Sequence, residues 1–139
     1  MNVLVDTSVW SLALRRKTSD LNESEKSTVV GLTELIQAGR VRIIGLIRQE
    51  LLSGIRTPSQ FEKLRNVLRA FPDELIDISD HEFAAKASNE CRQKGIAVSI
   101  VDALICAIAL VRDWPIFTID PDFREYAKVL SIKLYVPHT

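Results

Sequence analysis

Five carboxylates carry most of the chemical potential of this chain: Asp6, Glu50, Asp102, Asp120 and Asp122. Asp6 follows the apolar run Val3-Leu4-Val5, which is too short and too β-branched for a helix and reads as a buried strand. Thr7 and Ser8 open a helical pattern behind it, so this carboxylate stands where a strand hands over to a helix, the edge at which open parallel sheets bind ligands. Asp120 stands at the end of another apolar run, before Pro121 and Asp122. Asp102 lies three residues after Ser99, at the start of a very apolar helix. On a helical wheel Glu50 falls between Leu46 and Gly54, with Ile47 and Leu51 beyond, which places it within an apolar face, where acids are seldom left without a partner.

Each acid also has an ordinary explanation. Asp6 and Asp120 suit helix N-caps, Asp102 and Asp122 suit the positive end of a helix dipole, and Glu50 suits an ion pair with Arg48, Arg56 or another base. Together they point further. Asp6 and Asp120 end two strands that share one sheet edge if the sheet is parallel, and the helix bearing Asp102 begins on that edge or runs beside it. Converging carboxylates repel one another unless cations lie between them. Magnesium and manganese accept such all-oxygen sites, and the chemistry they serve best there is phosphodiester cleavage. The basic residues Arg15, Arg16, Lys17, Arg48 and Arg56 border the acidic segments and could line the path of an RNA backbone. His81 and His138 have no ligand spacing, and the scattered glycines form no phosphate-cradling loop.

The elements that must position these acids alternate. Strands are expected at Asn2–Val5, Val41–Gly45, Leu75–Ile78, Pro115–Ile119 and Ile132–Val136. Helices are expected over Ser8–Arg16, from Asn22 to near Gly39, Leu46–Gly54, from Thr57 to Pro72, from Ser79 to Gly95, Ile100–Arg112 and from Pro121 to about Val129. Asn22/Glu25, Thr57/Gln60 and Ser79/Glu82 have capping-box spacing, and Ser99 caps the helix that carries Asp102. Alternating strands and helices imply an α/β fold with a mostly parallel sheet covered on both faces.

At 139 residues, with 47% apolar content, the expectation is one domain spanning residues 1–139. Eighteen basic residues balance eighteen acidic ones, which counts against a module that binds nucleic acid by charge alone but not against an enzyme that grips a polyanion through metal ions. Cys91 and Cys106 fall in helical patterns and read as packed thiols. With no signal-type segment and no apolar run of membrane length, a soluble cytoplasmic protein is expected.

Four segments together carry a resemblance: V-D-T-S-V-W at Val5–Trp10, R-Q-E-L-L-S-G at Arg48–Gly54, S-I-V-D-A-L-I-C-A-I-A at Ser99–Ala109 and F-T-I-D-P-D-F at Phe117–Phe123. In this order and spacing the chain resembles PIN-domain proteins, in particular the VapC-type toxins of toxin–antitoxin pairs. The resemblance implies a three-layer sandwich with strand order 3-2-1-4-5. It also implies a Mg²⁺- or Mn²⁺-dependent endoribonuclease that leaves 5′-phosphate and 3′-hydroxyl ends. Its acidic cluster falls on Asp6, Glu50, Asp102 and Asp120, with Asp122 an additional or alternative metal ligand, and its hydroxyl positions fall on Ser8 and Thr118. A homodimer, an RNA substrate and a small antitoxin partner are implied as well. The alternative is a receiver-like Mg²⁺-binding signalling module. That class needs paired acids after strand 1, where this chain has Thr7-Ser8, and an aspartate directly after strand 3, where it has Ser79.

Overall fold

A computed structural model describes residues 1–137. Three short parallel strands form its centre: β1 (Val3–Val5), β2 (Val41–Arg42) and β3 (Ile116–Phe117). Their order is β2-β1-β3, with Val3 opposite Val41, Leu4 opposite both Arg42 and Ile116, and Val5 opposite Phe117. β1 is completely buried, as a middle strand with both faces covered must be. The outermost expected strands are reduced to single parallel bridges, Ile43 with Asp73 and Ile116 with Leu134, one flanking each side of the ladder. The sheet therefore has three strands in place of the five expected in the order 3-2-1-4-5, and the outer two contribute only bridges. The third segment pairs at Asp73 rather than over Leu75–Ile78. The fifth pairs at Leu134 and forms no strand over Ile132–Val136.

Seven helices surround this ladder among the described residues: α1 (Thr7–Arg15), α2 (Glu23–Gln37), α3 (Gly45–Leu52), α4 (Pro58–Leu68), α5 (Ile78–Gln93), α6 (Ile100–Arg112) and α7 (Asp122–Tyr126). The Asn22/Glu25 capping box forms as its spacing dictates, and α2 ends where Gly39 adopts φ +69°, a left-handed turn that suits glycine. Ser99 caps α6 through the Asp102 amide at 3.1 Å. Two caps differ from expectation. Thr57 stands at the N-cap of α4, but its hydroxyl makes no capping bond there. At α5 the box is Asp77 with Asp80, not Ser79 with Glu82, so the helix begins at Ile78 and takes up residues expected in strand 3.

α6 is the helix most enclosed by the core, with every residue from Ala103 to Ala109 buried. It packs beside α5, and a largely shielded ion pair secures the contact. The Arg112 guanidinium donates to both oxygens of the buried Asp80 at 2.6 and 3.0 Å, to Glu74 at 3.2 Å and to the Leu75 carbonyl at 2.8 Å. The Arg112 hydrogen bond holds the Asp80 carboxyl below its usual range, against the opposing effect of burial. Trp10 of α1 meets Phe71 edge-on at 5.1 Å, which ties α1 to the end of α4. Cys91 and Cys106 are buried free thiols, as expected of packed cysteines. Among the described residues no helix is long and apolar enough to cross a membrane.

Candidate metal and active site

The Asp6 amide donates to the Phe117 carbonyl at 2.9 Å, so the end of β1 is fastened to the end of β3. This places Asp6 against the segment that runs from Thr118 to Asp122. Two hydroxyls complete the link. Ser8 Oγ donates to Asp6 Oδ2 at 2.7 Å and accepts from the Ile119 amide at 3.1 Å. Thr118 Oγ1 donates to the same oxygen at 2.8 Å and accepts from the Asp120 amide at 3.0 Å. Each hydroxyl has one proton, and both are aimed at Asp6. Oδ2 also receives the Ser8 amide at 3.4 Å, so Asp6 caps α1 as well. Every donor to this carboxylate meets Oδ2, and Oδ1 receives none among the described residues.

The other acids gather around this edge. Asp120 Oδ1 accepts from the Asp122 amide at 2.9 Å, a turn that starts α7. Carboxylate oxygens of Asp102, Asp120 and Asp122 lie within 4.8 Å of one another. Asp102 is half-buried at the start of α6, and Tyr126, buried at the end of α7, donates its phenol to Asp102 Oδ2 at 2.7 Å. Burial pushes the Asp102 carboxyl up. The Tyr126 hydrogen bond opposes that, and the charges of Asp6, Asp120 and Glu50 add to the rise. Burial also pushes the Tyr126 phenol up, followed by its bond to Asp102. One helical turn beyond Asp102, the fully buried Cys106 thiol is raised by burial and then by the charge of Asp102.

Asp6 and Glu50 stand outside the 4.8 Å trio, although both charges act on Asp102. Glu50 is exposed rather than enclosed in an apolar face, and it is held by Thr7, whose hydroxyl donates to Oε1 at 2.6 Å. The ion pair with Arg48 or Arg56 does not form. A wheel of α3 alone does not register that α1 packs alongside and presents Thr7. Arg48 is committed elsewhere. Its guanidinium pairs with Asp73 at 2.9 Å and donates to the Leu68 and Phe71 carbonyls, closing the C-terminus of α4. Those bonds engage its Nε and both terminal nitrogens within the fold. Arg15 and Arg56 remain exposed and line, with Lys63, a cavity of about 730 Å³ beside α1 and α4. His81 is exposed on α5, and His138 lies outside the described residues. Two contacts with the acids were missed from sequence, those of Thr7 and Tyr126. The signal available for Tyr126 was its i,i+4 spacing from Asp122, which puts both on one face of a helix.

The donor set fits a hard divalent cation. The trio supplies only oxygen, the ligand chemistry that Mg²⁺ and Mn²⁺ take, and its oxygens lie within 4.8 Å of one another. Asp102 is raised first by burial and then by the charges of Asp6, Asp120 and Glu50, so a cation seated among these acids would favour its ionised form.

Residues 3–129 match the PIN domain family. The chain is a PIN-domain protein. No curated protein matches its sequence. Among solved structures it is similar to FitAcB from Neisseria gonorrhoeae, with 20% identity, TM-score 0.75 and 97% of each chain covered. It is also similar to VapBC2 from Rickettsia felis bound to a DNA fragment from their promoter, with 17% identity, TM-score 0.76 and coverage of 97% of this chain and 98% of that one. A toxin–antitoxin complex from Klebsiella pneumoniae follows at 17% identity and TM-score 0.64, with 99% and 98% covered. These structures share the PIN fold, and membership of the family decides against the receiver-like alternative.

Proposed function

We propose that this PIN-domain protein is a Mg²⁺- or Mn²⁺-dependent endoribonuclease and the toxin of a toxin–antitoxin pair. The observation that carries the reading is the meeting of Asp102, Asp120 and Asp122 within 4.8 Å at the edge where Asp6 ends β1. Asp6, Asp102, Asp120 and Asp122 would hold the cation, with Glu50 binding it directly or through water. When bound, the cation supplies Lewis-acid stabilisation of the charge that develops on the phosphate and the leaving oxygen.

The chain's own groups prepare this chemistry. Ser8 and Thr118 fix Asp6 by occupying Oδ2. Thr7 holds Glu50 by one oxygen, and the exposed carboxylate keeps its other oxygen free to orient a water molecule. In the hydrolysis the water oxygen forms a bond to phosphorus and the P–O3′ bond breaks. The 3′ oxygen takes a proton, leaving 5′-phosphate and 3′-hydroxyl ends. Arg15 and Arg56, with Lys63 beside them, would steer the RNA backbone. The partner reading rests on the similar toxin–antitoxin complex from Klebsiella pneumoniae. An antitoxin segment would cover the acids, with an Arg or Lys where a cation or phosphate would sit. A homodimer belongs to the same reading.

Purified protein free of any partner should cut RNA in Mg²⁺ or Mn²⁺ and stop when a chelator is added. Asp102→Asn should abolish cutting, because an amide cannot replace the charge of a metal-holding carboxylate. Chelator-resistant cleavage shared by wild type and Asp102→Asn would overturn the reading.

A further inference from the structure

Four of the five acids of this site are each held by one oxygen, and among the described residues none holds the Asp122 carboxylate. Asp6 is held by Ser8 and Thr118, Glu50 by Thr7, Asp120 by the Asp122 amide, and Asp102 by Tyr126. The last bond differs from the others because its donor is a long, deeply buried side chain from a separate element. Tyr126 is 3% exposed, and its ring meets Phe123 edge-on at 5.1 Å. α7 is little more than one turn long, with Asp122 at its first residue and Tyr126 at its last. The same short helix therefore delivers one acid of the trio and the group that holds another.

We propose that Tyr126 is a positioning residue for divalent-cation binding: its phenol fixes the Asp102 carboxylate so that Oδ1 is presented to Asp120 and Asp122. This inference rests on the proposed metal site. The terminal torsion of an aspartate is broad, so an unheld carboxylate samples many orientations, and a cation must then select one. A charge-assisted O–H···O⁻ bond at 2.7 Å selects it in advance. Partners that orient ligands in this way affect metal affinity about 10- to 100-fold. The competing explanation is that a buried phenol needs some acceptor, and Asp102 is the one within reach. That explanation predicts a change in fold stability and none in cation affinity.

The two separate in Mn²⁺ titrations of the full chain without RNA, by calorimetry, with melting in chelator recorded on the same samples. Tyr126→Phe keeps the ring and removes only the hydroxyl. It should weaken Mn²⁺ binding about 10-fold or more. Tyr135→Phe is the matched control. Its ring also packs edge-on, against Phe117, and it makes no hydrogen bond to an acid. It should bind Mn²⁺ as wild type does. Equal Mn²⁺ affinity in wild type and Tyr126→Phe, at any melting temperature, would overturn the proposal. Failure of wild type itself to bind Mn²⁺ at millimolar concentration would overturn the metal-site reading and this inference with it. A second measurement does not depend on the folding of Tyr126→Phe. The chain has two tyrosines, so fluorotyrosine-labelled Tyr135→Phe protein reports Tyr126 alone. Its ¹⁹F resonance should shift on addition of Mg²⁺, and an unmoved resonance in protein that binds Mg²⁺ would count against the proposal.

Discussion

At Ser8 and Thr118 a single proton per hydroxyl decides the geometry of Asp6. Both protons go to Oδ2, and both oxygens accept backbone amides from the loop after β3. Thr118→Val keeps the shape, but it removes one donor to a buried carboxylate and leaves the Asp120 amide without its acceptor. It should cost about 1–3 kcal/mol of stability, read from denaturant unfolding. It should also weaken Mn²⁺ binding on the order of 10-fold, read by titration. Unchanged values in both would show that the loop does not depend on this hydroxyl. The identities of these groups were legible from the motif, but the destinations of their bonds were not. Glu50 shows why: its neighbour Thr7 lies 43 residues away, and no wheel of one helix reports what packs against it.

Between elements, two arginines act as fasteners. Arg48 closes the C-terminus of α4, so Arg48→Ala should lower the melting temperature and leave the salt dependence of RNA binding as it is in wild type. Arg15→Gln with Arg56→Gln should do the reverse, reducing the salt slope by about 2, roughly one counterion per lost phosphate contact. Filter binding in Ca²⁺ or chelator over a salt series separates the two cases. Arg112 joins α6 to α5 through Asp80 and Glu74. Arg112→Met would leave the Asp80 carboxylate buried without its cation. The expected loss is on the order of 3 kcal/mol, or roughly 10 °C for a chain of this size. The pH dependence follows from Asp80, whose carboxyl is held below its usual value by that hydrogen bond. Folding favours the ionised form, so the stabilisation is complete above the unfolded value near 3.8 and is lost as pH falls through the lower folded value. Wild type should thus lose more stability than Asp80→Asn when melts are compared at pH 6 and in strong acid. The start of α5 was misread for a physical reason. Asp77/Asp80 and Ser79/Glu82 are both capping boxes by spacing, two residues apart, and the one closed by the buried Asp80 forms. α6, with one cap and an unbroken apolar run, was legible at both ends.

For the whole molecule, the parallel α/β arrangement was legible because strands and helices alternate and the apolar runs are distinct. The outer strands were overcalled. A mostly apolar run such as Ile132–Val136 reads as extended chain, but ladder length depends on a neighbour, and here each edge gains a single bridge. Strands ending on one edge anticipated Asp6, Asp102 and Asp120 together, and Asp122 entered only through the resemblance; the structure brings Asp102, Asp120 and Asp122 within 4.8 Å and leaves Asp6 and Glu50 outside that trio. With zero formal net charge overall, the concentration of negative charge at this edge is local, and it is where a cation should act on the entire fold. Burial and neighbouring acids hold the Asp102 carboxyl above its usual range. Its ionisation therefore opposes folding in metal-free protein at neutral pH. The most direct test compares melting of wild type and Asp102→Asn in chelator and in Mn²⁺. At roughly 100-fold excess over its dissociation constant, Mn²⁺ should add about 2.7 kcal/mol to wild type, a shift on the order of 10 °C. In chelator Asp102→Asn should melt no lower than wild type, and in Mn²⁺ it should gain much less. Equal Mn²⁺-induced shifts in the two proteins would contradict a metal site that includes Asp102.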